Sequence, residues 1–234
     1  MRGTLLLLIW AWSAFALCAP HQHEPPVVLA PGYAPLSFDA PEPGTYDLPA
    51  MGNASDGAVI DSNGKAAKLH DYLGGKPTVL SFIFTTCDDV NGCPLATYVM
   101  RSVQDALQAD PATADRARLV SFSFDPVFDT PDVINAYGSQ FRAGDFDWQF
   151  LTTSGAAELD PILNAYGQWV IRDYDENGEY MGTMSHILRV FLIDESRQIR
   201  NIYSTSFLHA DTVANDVRSL LIESAAKRLA DTGS

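Results

Sequence analysis

Apolar residues along the chain form short continuous runs, separated by stretches in which apolar side chains recur at helical spacing. The first clear run covers residues 78–84, where apolar, β-branched and aromatic residues are interrupted by one serine. Such a run is typical of a central strand that is buried on both faces. Beyond it, a recurrence every four positions predicts one buried face of a helix, at Leu95, Val99, Val103 and Leu107.

The pattern continues as an alternation of strands and helices. In order, it predicts a strand at 118–124, a helix from Thr130-Pro131 to about residue 141, a strand at 148–152, a helix at 156–166, a hairpin turn at 175–178, a strand at 184–193 and its partner at 198–203. A last amphipathic helix is predicted from Val213, Val217, Leu220, Leu221 and Ala225. This order predicts a thioredoxin-like α/β fold, with a central mixed sheet flanked by helices and an inserted β-hairpin.

The first 19 residues have the features of a secretory signal peptide. Arg2 is followed by an apolar stretch at 5–17 and by small residues. A membrane-spanning helix needs about 20 apolar residues, so we expect cleavage rather than an uncleaved anchor. Cys18 stands where a lipid-bearing cysteine would stand, but the bulky Leu17 before it disfavours lipidation. We therefore expect export to the periplasm, with attachment to the membrane through the N-terminus left as the alternative.

Composition separates a linker from the folded domain. Residues 20–45 are rich in proline and predict an extended linker, in which His21 and His23 are expected to be solvated. Residues 46–230 are enough for one domain with a sizeable core. The chain has 29 acidic and 15 basic residues and a net charge of −14 at pH 7. This charge disfavours binding to nucleic acid or to anionic membrane surfaces.

Two cysteines stand where the first strand ends and the first helix begins. Cys87 follows the strand, and Cys93, with Pro94 after it, is expected at the helix N-cap. The helix end should lower the pKa of Cys93, whereas Asp88 and Asp89 should raise the pKa of both thiols. We therefore expect Cys93 to be the thiolate. From the cysteines alone, a metal site, a redox disulfide and a structural disulfide all remain open.

Four short motifs follow one another along residues 46–203: Thr85-Thr86-Cys87, Cys93-Pro94, the segment 123–131 with Asp125-Pro126 inside it, and Ser185-His186 before the apolar residues 190–193. In this order they resemble the SCO/SenC family of copper chaperones for cytochrome c oxidase. The resemblance implies a thioredoxin-like domain that binds Cu(I) or Cu(II) through Cys87, Cys93 and His186. It also implies an acidic residue near the site, at Asp125.

The spacing of the cysteines departs from the family. Five residues separate Cys87 from Cys93, where the family usually has three. In a regular helix, a separation of six positions rotates the second side chain by about 240°. We therefore expect the intervening residues to form a non-helical loop, with two residues of 88–92 as an insertion. We therefore expect this site to bind copper more weakly than the family's usual site, or to be more redox-active.

His186 is the third candidate ligand. Thioredoxin-like oxidoreductases have a proline at the start of the corresponding strand, but residues 181–192 contain none. A neutral imidazole together with thiolates suits copper. His70 and His209 lack this context, and Met181 and Met184 are expected to be packing or hairpin residues. A peroxiredoxin is disfavoured because Phe84 replaces the hydroxyl needed three residues before the reactive cysteine.

These residues and the resemblance lead to two classes of function. The first is an exported copper-binding assembly factor that delivers copper to the dinuclear copper site of a respiratory oxidase. Its partners would be the copper-receiving subunit and a thiol reductant or another copper chaperone. The alternative is a thiol-disulfide oxidoreductase that reduces client cysteines with the Cys87/Cys93 pair. A permanently closed structural disulfide is the third interpretation.

Overall fold

The computed structural model describes residues 36–232. The predicted signal peptide, the lipidation candidate Cys18, both linker histidines and residues 20–35 of the linker lie outside that range. Within it, no helix is both long and apolar enough to cross a membrane.

The described chain forms one eight-stranded mixed sheet and a separate two-stranded hairpin. The strands are β1 Gly52–Asn53, β2 Ala58–Asp61, β3 Ala66–Lys68, β4 Thr78–Ile83, β5 Arg118–Ser123, β6 Trp148–Thr152, β7 Val170–Tyr174, β8 Tyr180–His186, β9 Val190–Ile193 and β10 Gln198–Tyr203. The sheet has the strand order β1-β10-β9-β4-β5-β6-β2-β3. Strands β4, β5 and β6 are parallel, and β9 pairs antiparallel with β4.

Helices cover both faces of the sheet. They are α1 Cys93–Gln108, α2 Pro131–Ser139, α3 Ala156–Ala165 and α4 Ala210–Thr232, with short 3-10 turns at Leu69–Asp71 and Thr205–Phe207. All six residues of β4 are buried: Val79 lies in one apolar cluster, and Leu80, Phe82 and Ile83 lie in a second. The predicted buried face of α1 is confirmed: its four apolar residues lie in the cluster that α1 shares with α4. The thioredoxin-like arrangement with an inserted hairpin is confirmed.

The prediction of one long strand at 184–193 is wrong, because the structure divides this segment between two strands. Residues up to His186 belong to β8, which pairs with β7 outside the main sheet, whereas β9 starts at Val190 and pairs with β4 and β10. Between them the Arg189 side chain donates a hydrogen bond from Nη1 to the carbonyl of Gly167 at 2.9 Å. The apolar residues Ile187 and Leu188 hide this break, because an apolar run carries no mark of the point where the chain changes sheets.

A buried carboxylate fastens the N-terminal segment to α4. Asp216 accepts hydrogen bonds from the hydroxyls of Tyr46 and Tyr203, each at 2.6 Å, and from Nδ2 of Asn201 at 2.8 Å. Burial and the neighbouring Asp216 carboxylate raise the pKa of Tyr46 to about 12. The phenols therefore stay protonated and remain donors, and they tie the start of the domain to the sheet and to its last helix.

Candidate metal centre

The loop between β4 and α1 holds both cysteines. β4 ends at Ile83, so Cys87 lies four residues beyond the strand, and Cys93 is the first residue of α1 rather than its N-cap. The intervening residues form a turn, as predicted. In that turn the Asp89 side chain accepts from the backbone N–H of Asn91 at 2.9 Å, and its carbonyl accepts from Gly92 at 2.8 Å.

Three candidate ligand atoms converge at this loop. The Sγ atoms of Cys87 and Cys93 and a ring nitrogen of His186 all lie within 4.8 Å of one another. His186 Nε2 is 3.4 Å from Cys93 Sγ, and the backbone N–H of Phe84 donates to the same sulfur at 3.4 Å. In residues 36–232 no other group of three or more His, Cys, Asp or Glu side chains is gathered in this way.

The His186 ring is held by aromatic side chains from the ends of two parallel strands. Its centroid lies 4.8 Å from that of Phe124 and 6.1 Å from that of Phe84, both edge to face. Its Nδ1 atom is buried and has no hydrogen-bond partner among the described residues. The ring therefore presents Nε2 to the sulfurs.

The two thiols have opposite acidities. The hydrogen bond from the Cys93 thiol lowers the pKa of Cys87 to about 5, against a smaller effect of burial, and His186 adds to the lowering. Burial raises the pKa of Cys93 well above its ordinary value, and the neighbouring Cys87 sulfur raises it further. The prediction that Cys93 is the thiolate is wrong. Its side chain is only 1% exposed, so the loss of hydration outweighs the helix end.

Asp125 lies near the centre but is not one of the converging groups. It follows β5, is 6% exposed, and its Oδ1 atom lies 3.6 Å from Nη2 of Arg172. Of the other side chains considered from the sequence, Met184 is buried in the hairpin, whereas Met181 is exposed. His70 donates from Nε2 to the carbonyl of Ala54 at 2.9 Å and is not in the group that converges at the sulfurs.

Asp129 supports the cysteine loop, a role that the sequence pattern did not reveal. Its buried carboxylate accepts from the backbone N–H of Thr85 at 3.0 Å, from the Thr85 hydroxyl, and from the Ser123 hydroxyl at 2.5 Å. Burial nevertheless raises its pKa. Thr85 lies two residues before Cys87, so Asp129 fixes the direction in which the loop leaves the sheet. Its place in the 123–131 motif, with two hydroxyl residues as donors, was the available signal.

The separations of the three candidate ligand atoms are close to those that a bound metal ion requires. With bonds of roughly 2.0–2.3 Å, as zinc makes to nitrogen and sulfur, a central ion holds its ligands up to about 4.6 Å apart. The observed spread of 4.8 Å exceeds this limit by a few tenths of an ångström. Two sulfurs and an imidazole are soft donors that suit Cu(I) and zinc, and imidazole also suits Cu(II).

The fold and the site together define a thioredoxin-like protein with two cysteines and one histidine that could hold a metal ion. The SCO1/SenC family model matches residues 55–222, so the chain belongs to the SCO1/SenC family.

Relatives and solved structures agree with this family. The chain is 30% identical over 100 residues to a SCO1 protein homolog of Bacillus subtilis, covering 43% of this chain and 49% of the relative. It is 30% identical over 143 residues to a putative copper-binding protein of Stutzerimonas stutzeri, covering 61% of this chain and 64% of the relative. The chain thus spans less than two thirds of both. The structure of Bradyrhizobium japonicum ScoI with copper bound aligns with a TM-score of 0.59 and 27% identity, over 72% of this chain and 99% of that one.

Proposed function

We propose that this protein is an exported copper-binding assembly factor that delivers copper to the dinuclear copper site of a respiratory oxidase. The observation that carries the proposal is the convergence of Cys87, Cys93 and His186 within 4.8 Å. It is supported by membership of a family in which the Bradyrhizobium japonicum protein was solved with copper bound. Copper is the cargo, held as Cu(I) or Cu(II) by two sulfurs and one imidazole.

The two sulfurs differ in how they can take part in ligand exchange. Cys87 is half-buried and its low pKa keeps it a thiolate at neutral pH, so it can reach an incoming or receiving ligand first. Cys93 is buried and holds its proton, which must leave to solvent when the metal binds, because only the thiolate is a ligand. Release of copper is then favoured from the Cys87 side.

The open side of the centre is acidic. Cys87 and His186 line a cleft together with Asp88, Asp89 and Asp173. These carboxylates and the net charge of −14 favour approach of a cation. We propose the copper-receiving oxidase subunit as the partner, with a thiol reductant or another copper chaperone acting before it. Binding to nucleic acid is not part of the proposed function. Residues 1–19 support export to the periplasm, with retention of the N-terminus at the membrane as the alternative.

A thiol-disulfide oxidoreductase is the second candidate, and the acidic thiol of Cys87 favours it. The Cys87 thiolate would attack one sulfur of a client disulfide and release the other as a thiolate. Cys93 would then lose its proton and attack Cys87, which releases the second client thiolate. The client disulfide is reduced by two electrons, and Cys87 and Cys93 become a disulfide.

One experiment separates the two functions. Copper-loaded protein is mixed with the copper-free soluble domain of an oxidase subunit, and formation of the dinuclear centre is followed by its absorption. In a parallel arm, the copper-free reduced protein is mixed with the same domain in its disulfide form. The thiols that appear on the oxidase domain are then counted by alkylation and mass spectrometry, because the total number of thiols does not change in the exchange. Copper delivery requires that His186→Ala abolishes the first signal and that the control His70→Ala does not. If only the thiol signal is seen, the chain is an oxidoreductase.

A further inference from the structure

The hairpin that carries His186 is not part of the main sheet. Among the described strands, β7 and β8 pair only with each other, whereas Cys87 lies in the loop after β4 and Cys93 begins α1. The position of the imidazole relative to the sulfurs therefore depends on how the hairpin rests on the domain, and hydrogen bonds within the sheet do not determine it.

One face of the hairpin is turned toward the domain. Val170 pairs with His186, and Arg172 pairs with Met184, so these four side chains share a face. Met184 is buried in the apolar cluster that contains Cys93, and Val170 packs against the same cluster. Apolar contacts of this kind hold the hairpin down, but they are not directional.

Two neighbouring positions on this face meet two neighbouring residues after β5. The His186 ring contacts the Phe124 ring, and Nη2 of Arg172 lies 3.6 Å from Oδ1 of Asp125. The Arg172 guanidinium also lies 5.3 Å from the centre of the Tyr180 ring on β8, which holds it on the hairpin side. The ion pair is therefore directly beside the histidine contact.

Arg172 balances the negative charge of Asp125. Its Oδ1 atom is buried and accepts no hydrogen bond from a described residue, and within residues 36–232 Arg172 is the only cation that lies within 4.0 Å of the carboxylate. A buried carboxylate without a partner is strongly unfavourable, so the pair has a preferred geometry that apolar packing lacks. Moving the hairpin away from the sheet would separate the charges.

We propose that the Arg172–Asp125 ion pair is a clasp that sets the pose of the hairpin and so holds His186 at the sulfurs. Arg172 is a positioning residue: it touches none of the three ligands and acts through His186. The proposal deepens the copper-binding function and rests on it for its effect on affinity. Its effect on the metal-free protein stands independently.

The test compares Arg172→Met, which keeps the aliphatic stem and removes the charge, with Arg172→Lys, which keeps the charge. Arg142→Met is the matched control, because Arg142 also lies over an aromatic ring, at 5.4 Å from the centre of Phe150. Two properties are measured on reduced metal-free protein: the ring signals of His186 by nuclear magnetic resonance, and hydrogen exchange of the β7–β8 amides. Cu(I) affinity is measured with a competing chelator, in the wild-type and His186→Ala backgrounds.

We expect Arg172→Met to shift the His186 ring signals, to speed exchange in the hairpin and to weaken Cu(I) binding by about tenfold, as loss of an outer-shell partner does elsewhere. The loss of affinity should vanish in the His186→Ala background, and Arg172→Lys should restore most of it. Unchanged ring signals and exchange would overturn the clasp, and so would an equal loss of affinity in both backgrounds. If the wild-type protein binds no Cu(I), the proposed function fails. The two metal-free measurements still test whether the Arg172–Asp125 ion pair sets the pose of the hairpin.

Discussion

Nε2 of His186 lies 3.4 Å from Sγ of Cys93, although 93 positions separate the two residues in the chain. The contact joins a histidine on a peripheral hairpin to a cysteine at the start of a buried helix. The fold makes the site, since neither residue has a ligand partner close by in its own element. Changes that disturb the cysteine loop, the hairpin or the core should therefore have different effects.

The first prediction concerns the thiols. In the reduced metal-free protein, Cys87 should react with iodoacetamide before Cys93, with an apparent pKa of about 5. Its rate should be nearly constant from pH 6 to 8, because the thiol is already deprotonated in that range. The rate of an ordinary thiol, with a pKa of about 8.5, would still rise with pH there. Cys93→Ala should raise the apparent pKa of Cys87, because the main hydrogen bond to its sulfur is lost. Mass spectrometry of the labelled peptides checks both statements, and faster labelling of Cys93 would contradict them.

The second prediction concerns Asp129. Replacing it with alanine removes the acceptor for Thr85 and Ser123, so the loop before Cys87 should loosen. The free energy of unfolding should fall by about 2–3 kcal/mol, and Cu(I) affinity should fall with it. Urea denaturation and chelator competition measure the two effects. The control Asp132→Ala removes an exposed carboxylate from the first turn of α2 and should change neither by much. Equal behaviour of the two variants would remove Asp129 from its supporting role.

The third prediction separates stability from metal binding. Asp216→Ala leaves three buried or half-buried donors without an acceptor, so the free energy of unfolding should fall by about 3 kcal/mol. Tyr203→Phe, which removes one donor, should cost about 1 kcal/mol. Cu(I) affinity of the folded fraction should be unchanged in both, because none of these residues contacts the metal centre. A loss of affinity in Asp216→Ala at a temperature where it is folded would show coupling that the structure does not contain.

The sequence predicted those elements whose hydrophobic pattern is unambiguous. The buried run before Cys87 and the four-residue repeat after Cys93 follow from burial alone, which is why β4 and α1 lie where expected. His186 was named as a ligand through the family resemblance. No spacing rule could have shown that a residue outside the main sheet reaches the sulfurs.

Other features depended on tertiary burial and could not be predicted. The prediction that Cys93 is the more acidic thiol was wrong, because the depth of Cys93 in the core is set by packing from several elements. The break before β9 was missed because Ile187 and Leu188 look like a continuation of an apolar strand. The pairing of Arg172 with Asp125 joins a strand that had no distinct pattern to a loop, and a sequence gives no sign of such a contact.

The most direct test is the ligand set of the bound metal. X-ray absorption of the Cu(I)-loaded protein should show two sulfur ligands and one nitrogen ligand. His186→Ala should lose the nitrogen and keep both sulfurs, whereas Cys93→Ser should lose a sulfur. If the wild-type spectrum contains two sulfurs and no nitrogen, or if His186→Ala leaves it unchanged, the Cys87, Cys93 and His186 centre is not the copper site of this protein.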